Sequence, residues 1–245
     1  MIVKEGGNVF PGTTSFDQKI VPDMMKKLNQ VLKPLGTEVY PIGSGATPTP
    51  GKMSGDLDMV IDYNDIASHF NSKDQKAARQ DLENLFREAG FNTAKTGTSV
   101  HVEVPVAGET HQVDIMVVPN AAQAKKFHVH DIPQDSQYKG VHKQIAIAYL
   151  AKQKGLLWSP YQGLFKRLPN GKKDPKGFVT HDTEEVAKIL LGDSASFRDL
   201  GSLESIMAAM PEAEAQQMLA DLKQSNPDKF EESSELARIR ELSGL

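Results

Sequence analysis

The sequence predicts an α+β fold: a mixed β-sheet flanked by helices, followed by a helical C-terminal region. Three observations carry this. Apolar runs of strand length fall between residues 37 and 118, helical spacing intervenes between them, and from Thr183 onward every apolar repeat has helical spacing. A division into residues 1–180 and residues 181–245 follows. At 245 residues the chain can bury a substantial core, and 39% hydrophobic with 24% charged residues is ordinary for a globular protein.

The elements follow in chain order. Met1 to Gly12 is glycine-rich and reads as a loop or arm. Met24, Leu28, Val31, Leu32 and Leu35 give Asp23–Leu35 a helical stripe. Thr37–Ile42 reads as a short strand. Gly43–Gly55, with Pro48 and Pro50, cannot be helical and reads as a loop. Leu57–Ile61 is an apolar strand interrupted by Asp58. Asp74–Ala89 reads as a helix with Leu82, Leu85, Phe86 and Ala89 on one face and Gly90 after its end. Val100–Val106 and Gln112–Val118 read as two strands of a hairpin around Ala107-Gly108-Glu109-Thr110. A helix over Gln137–Lys154 places Ile145, Ala148, Tyr149 and Lys152 on one stripe and ends at Gly155. Leu156–Phe165 reads as short strand with turns, and Leu168–Gly177 as a lysine-rich turn around Asn170-Gly171. Helices are expected over Glu184–Leu191, Ser202–Met210, Glu212–Gln224 and Asp228–Leu242.

Composition narrows the function. No run of eighteen apolar residues exists, so a membrane span is not expected, and the opening residues lack the apolar stretch of a secretory signal. With no cysteine, there is no disulfide framework and no thiolate metal site, so a metal would sit on carboxylate or imidazole. The net charge of −4 hides an asymmetry. Residues 121–180 carry 11 Lys/Arg against 3 Asp/Glu (+8), whereas residues 181–245 carry 6 against 14 (−8). A basic middle between acidic ends suggests a surface for phosphates, such as an RNA or DNA acceptor, or else a solvated lysine face.

The segment Ser54-Gly55-Asp56-Leu57-Asp58-Met59-Val60-Ile61-Asp62 carries the chemistry. Side chains alternate along a strand, so Asp56 and Asp58 share a face while Leu57, Met59 and Ile61 face the core. Two such carboxylates repel unless a cation lies between them, and hard divalent ions favour oxygen ligands. Asp114 also stands alone in an apolar strand, Val113 to Val118. Pairing the two strands side by side brings the three acids together, enough to hold two magnesium or manganese ions for phosphoryl transfer.

Ile42-Gly43-Ser44-Gly45 follows a strand. There glycine lets a phosphate approach the backbone and Ser44 adds a hydroxyl. Gly43-Ser44, then Gly55-Asp56-Leu57-Asp58, then Asp114 in a later apolar strand, resembles the nucleotidyltransferase superfamily that includes DNA polymerase beta. The resemblance covers residues 37–118 and loosely extends to 165. It implies that Asp56, Asp58 and Asp114 are catalytic metal ligands and that Gly43 and Ser44 hold a nucleoside triphosphate such as ATP. It also implies transfer of a nucleoside monophosphate to a hydroxyl with release of pyrophosphate. Many members carry an Arg soon after Gly-Ser. Here the spacer is proline-rich and Lys52 is its only cation. Glu5-Gly6-Gly7-Asn8-Val9-Phe10, taken with these motifs, is similar to nucleotidyltransferase-like proteins of tailed bacteriophages. That similarity implies a host-cytoplasm or virion setting and virion proteins as partners.

Other features are open to two readings. Lys139 and Lys143, four apart on a helix, could meet phosphates while Tyr138 stacks on a base, or they form a solvated face. Lys166, Arg167, Lys172, Lys173 and Lys176 could guide a nucleic-acid strand or simply be an exposed hairpin. His128-Val129-His130-Asp131 has zinc-compatible spacing but no third ligand, so hydrogen-bonded surface histidines are expected. His101 and His111 flank the hairpin, Trp158 and Tyr161 are expected to pack, and the acidic tail reads as amphipathic helices. Two rival functions stand beside transfer: a non-catalytic phage structural or assembly protein that keeps the fold, and a nucleic-acid-binding module without chemistry.

Overall fold

The computed structural model describes residues 9–128, 132–133 and 136–230. The chain folds as two compact units, residues 1–125 and 126–245, each with its own apolar core. The division therefore falls earlier than the expected 180/181 boundary. The cause lies in the second core, where Ala146, Ile147, Trp158 and Leu164 pack with Val186, Leu190, Leu203 and Met218. The basic middle and the C-terminal helices share one interior.

The first unit holds a five-stranded mixed sheet in the order β2 (Tyr40–Pro41), β4 (Asp56–Asp62), β7 (Glu109–Val118), β6 (Ser99–Val106), β5 (Asn92–Thr96). Only β4 and β7 run parallel; the other neighbours are antiparallel. The β6–β7 hairpin closes through Ala107 and Gly108, both at positive φ (54° and 89°), the turn geometry whose twist matches the strands. Helices α1 (Val21–Leu32) and α3 (Gln75–Glu88) supply Met24, Leu28 and Leu32, and Ala78, Leu82 and Phe86, to one face of the sheet. There they meet Leu57, Met59, Ile61, Val113, Ile115 and Val117. Burying each such side chain contributes about 1.5–3 kcal/mol. α2 (Tyr63–Phe70) starts on an Asp62 cap and, like β5, was not expected from the sequence. β1 (Phe16–Asp17) forms a small ladder with β3 (Met53–Ser54), the strand that immediately precedes β4 in the chain.

α4 (Ala121–His128) carries the chain into the second unit. There α5 (Gly140–Gln153) packs with the antiparallel sheet β8 (Leu156–Ser159), β9 (Gly163–Arg167) and β10 (Lys173–Thr180). α6 (Thr183–Leu191), α7 (Leu203–Ala208) and α8 (Glu212–Ser225) complete it. β10 occupies much of what the sequence suggested was a turn. The buried stripe of α5 is His142, Lys143, Ala146, Ile147, Leu150 and Ala151. The stripe expected from Ile145, Ala148, Tyr149 and Lys152 is the wrong face, because the apolar spacing 146, 147, 150, 151 is the one that meets the core. Trp158 packs edge-on against Phe127 (4.5 Å) and donates Nε1–H to Gln144 Oε1 (3.0 Å). Among the described residues no helix is long and apolar enough to cross a membrane. Glu5 to Asn8, His130, Asp131 and the last helix beyond Phe230 lie outside the described residues.

Candidate active site

The register of β4 on β7 places the acids. Asp58 pairs with Asp114 and Asp56 with Gln112 across parallel strands, so all four side chains leave the same face of the sheet. That face lies opposite the α1/α3 core. Asp58 is exposed, while Leu57 and Met59 on either side of it are 2% and 0% exposed. The charge that the sequence set inside an apolar strand is therefore carried out of the core by the pleat.

Proximity shows in the proton equilibria. Partial enclosure by protein, followed by the negative charges of Asp56 and Asp114, pushes the Asp58 carboxyl up to about 7. Asp58 is exposed to solvent and is crowded by Asp56 and Asp114 on its other sides. Asp56 is also raised, first by desolvation and then by Asp114, with His101 opposing. Three carboxylates at one strand end repel one another, and a divalent cation is the species that relieves this.

Asp114 is fixed by two donors. Across the β6–β7 ladder His101 pairs with Asp114, and His101 Nδ1 stands 2.7 Å from Asp114 Oδ1. Gln112 Nε2 donates to the same oxygen at 3.0 Å. His101 is buried, and its Nε2 meets Thr96 Oγ1 at 2.6 Å. Gln112, also buried, accepts from the Val9 N–H through Oε1 (2.8 Å). Among the described residues no three acidic or imidazole groups stand as a ready-made ion cage. The donor set suits a hard divalent ion, and two of its members, Asp56 and Asp58, hold no competing side-chain ion pair among the described residues.

Gly43 and Ser44 lie in a single 3-10 turn, Gly43–Ala46, that begins where the Ile42 N–H donates to the Asp58 carbonyl (3.0 Å). Gly43 has φ +57°, and no atom lies within 4 Å of where its Cβ would sit; Ser44 is exposed. Gly45 fits tightly instead: a Cβ there would fall 2.3 Å from a Leu57 methyl. The proline-rich spacer is tied down by the N-terminal segment. Buried Gln18 donates Nε2–H to Ser54 Oγ (2.8 Å) and accepts from the Thr49 N–H (2.9 Å), and Asp17 accepts from the Gly51 N–H (3.0 Å). Lys52 is exposed in this turn.

The remaining candidates belong to the second unit. Tyr138 packs its ring edge-on to His142 (5.5 Å) and Phe230 (6.1 Å), which places it against core residues. Lys139 is the N-cap of α5. Lys143 is fully buried at the head of the apolar stripe, with Nζ 5.7 Å from the Phe197 ring centre, and burial lowers its ammonium to about 8. The solvated lysine face is thus not found. His128 stacks on Tyr161 (4.8 Å).

Sequence reasoning left His101 without a role and passed over Gln112 and Gln18. The signal for His101 was present: once Ala107-Gly108 is the turn, pairing Val106 with Glu109 forces His101 opposite Asp114.

No family model and no curated protein matches the chain. Among solved structures it is similar to Leishmania infantum polymerase beta in a ternary P/T complex, with a TM-score of 0.50 and 13% identity over 77% of each chain. At that identity the likeness establishes the fold.

Proposed function

We propose that this chain, built on a fold like that of polymerase beta, is a metal-dependent nucleotidyltransferase. The observation that carries the reading is the in-register pairing of Asp58 with Asp114 beside Asp56 on one sheet face, with Asp58 pushed up to about 7 by enclosure and its neighbours' charge. In the proposed reaction an acceptor hydroxyl oxygen bonds to the α-phosphorus of a nucleoside triphosphate. The bond from that phosphorus to the bridging oxygen breaks, pyrophosphate leaves, and the hydroxyl proton is lost.

Asp56, Asp58 and Asp114 would hold two magnesium or manganese ions, which supply charge neutralisation on the triphosphate and a more acidic acceptor hydroxyl. Asp114 contributes an oriented carboxylate. Its Oδ1 is engaged by His101 and Gln112, while Oδ2 carries no hydrogen bond among the described residues. Gly43 and Ser44 would offer backbone N–H groups and a hydroxyl to phosphate oxygens, with Lys52 as the nearest cation in sequence. The proposed nucleotide site is built from the first unit alone; Tyr138, Lys139 and Lys143, which the sequence suggested as nucleotide contacts, belong to the second unit.

The test is a screen of the four α-labelled triphosphates against RNA, DNA and protein acceptors with magnesium or manganese, with thermal shifts run in parallel. Labelled acceptor and pyrophosphate are expected together, and saturating ligand should raise stability by about 2–4 kcal/mol. No label on any acceptor and no shift with either ion would sink the proposal and leave the non-catalytic reading standing.

His101 is a positioning residue in this scheme. His101→Leu is expected to weaken Mn2+ binding about 10- to 100-fold, read by spin resonance of the free ion. His101→Asn, whose amide can occupy the Nδ1 place, should recover most of it. Equal affinity in His101→Leu and the parent chain would remove the assignment.

A further inference from the structure

The outer face of the three-stranded sheet in the second unit is an aromatic surface framed by cations. Leu157, Phe165 and Phe178 form one cross-strand row through β8, β9 and β10, on the side opposite Trp158 and Leu164, which enter the core. Arg167 pairs with Lys173 in the next row on that same outer side. Phe165 is 6% exposed, because the Lys173 ammonium lies 3.6 Å from its ring centre and Phe178 meets it edge-on at 5.4 Å. Phe178 itself is 52% exposed, among the few large apolar side chains of the described residues left open to solvent. His181 meets it edge-on at 5.6 Å. Edge contacts from two rings steady Phe178 and leave much of it accessible.

Charge around this row is one-sided. Residues 163–180 hold five cations, Lys166, Arg167, Lys172, Lys173 and Lys176, against one carboxylate, Asp174. None of the five forms an ion pair among the described residues, although the Lys173 ammonium donates to Gln162 Oε1 and Lys166, in register with Leu156, leaves β9 on the side opposite Phe165. The Arg167 Nε–H donates to the Gly171 carbonyl (3.2 Å), which fixes the guanidinium at the hairpin end.

We infer that this face docks single-stranded nucleic acid, with a base on Phe178 and the backbone phosphates on the flanking cations. A supported but exposed ring beside cations that lack carboxylate partners is what a single strand engages, because unpaired bases stack on aromatics while lysine and arginine follow the phosphates. A duplex hides its base faces and could use only the cations. An acidic peptide would use the charge and leave the ring without purpose. As a docking surface the face is independent of the acids; as the site of the acceptor strand it rests on the transfer reading.

The test uses the full chain in EDTA without nucleotide, so its result does not depend on the acids. Fluorescent oligo(dT), oligo(rU) and a duplex, each about 20 nucleotides long, are titrated by anisotropy between about 50 and 300 mM KCl. Single strands of at least one sugar type are expected to bind more tightly than the duplex. Affinity should fall with salt at a log–log slope of about −0.7 per phosphate contacted. Phe178→Ala should weaken single-strand binding at least about five-fold and leave duplex binding unchanged, and Phe178→Tyr should restore it. Arg167→Glu with Lys172→Glu should weaken both. Asp58→Asn should bind strands like the parent chain even if transfer proves absent. Circular dichroism checks that each variant is folded. The inference is overturned by parental affinity in Phe178→Ala, by equal binding of duplex and single strand, or by no single-strand binding at the lowest salt. Capture by phosphatidylserine vesicles in place of strands would assign the face to a lipid surface and equally overturn it.

Discussion

Asp58→Asn is expected to make the metal-free chain more stable at about pH 8 while reducing nucleotidyl transfer about a thousand-fold or more. The two effects share a cause. In the folded chain the Asp58 carboxyl is pushed from 3.8 to about 7 by partial enclosure and by Asp56 and Asp114. In the unfolded chain it titrates near its ordinary value, so the folded state holds the proton more tightly. Below about pH 4 both states are protonated and the shift contributes nothing. Between about pH 4 and 7 the unfolded state ionises first, and folding stability falls as pH rises. Above about 7 the loss is complete. Three pH units at 1.36 kcal/mol each give an upper bound of about 4 kcal/mol, and solvent screening of an exposed carboxylate reduces this to about 1–2 kcal/mol. Asn removes the slope.

Thermal unfolding in EDTA of the two proteins from pH 4 to 8 reads Asp58 together with its coupling to Asp56 and Asp114, since carboxylates remote from the site cancel in the difference. The curves should meet near pH 4 and separate in favour of Asn by pH 8. Magnesium should then raise the midpoint of the parent chain at pH 8 and leave the variant nearly unmoved. Loss of transfer follows because an amide oxygen brings no charge to a site where developing phosphate charge must be neutralised, and removing one such group typically costs several kcal/mol of barrier. A flat difference across pH, or parental transfer by Asp58→Asn, would contradict the assignment.

The parts of the site that were legible in the sequence are those governed by strand periodicity. Asp56 and Asp58 share a face because the side-chain period is two, and Leu57, Met59 and Ile61 turn inward for the same reason. That β4 and β7 lie side by side was expected only because a third lone acid needed a neighbour; their parallel direction was not. The contact is realised over seven consecutive pairs, from Asp56–Gln112 to Asp62–Val118. Helix spacing was less decisive. α1 and α3 carry strong single stripes and were placed well, whereas α5 has apolar residues on two stripes and burial chose the one headed by Lys143. A buried lysine has no local signature, since its cost is met by tertiary surroundings that a sequence does not display. The second core is a further case. Trp158 and Leu164 gave no sign that they would pack with Leu203 and Met218, because that pairing depends on long-range closure and not on spacing. Likewise Gln18 reads as an ordinary polar residue, and only tertiary folding brings its amide to Ser54 and Thr49.

Two glycines with the same backbone angle show what such closure demands, and they should respond differently to alanine. Gly108, in the β6–β7 turn, and Gly163, at the start of β9, both have φ +89°. At Gly108 no atom lies within 4 Å of the added Cβ. Gly108→Ala therefore carries only the strain of a left-handed backbone, about 1 kcal/mol. At Gly163 the Cβ would fall 2.2 Å from the Thr180 carbonyl oxygen and 2.7 Å from His181 Cα. These are backbone atoms that no side-chain rotation can move. β9 and β10 must separate there, which breaks the Leu164–Thr180 pairing and pulls at Leu164 in the second core. Gly163→Ala is expected to cost about 3 kcal/mol or more, as severe steric strain at a buried position does. Denaturant unfolding of the two variants beside the parent gives the comparison. The excess cost at Gly163 measures the close approach of the strands, separate from the backbone angle. The same variant should weaken single-strand binding, since Phe178 and Arg167 reach their common face only while β9 and β10 stay paired. Equal destabilisation by the two alanines would mean that the approach at Thr180 is not as tight as the fold requires.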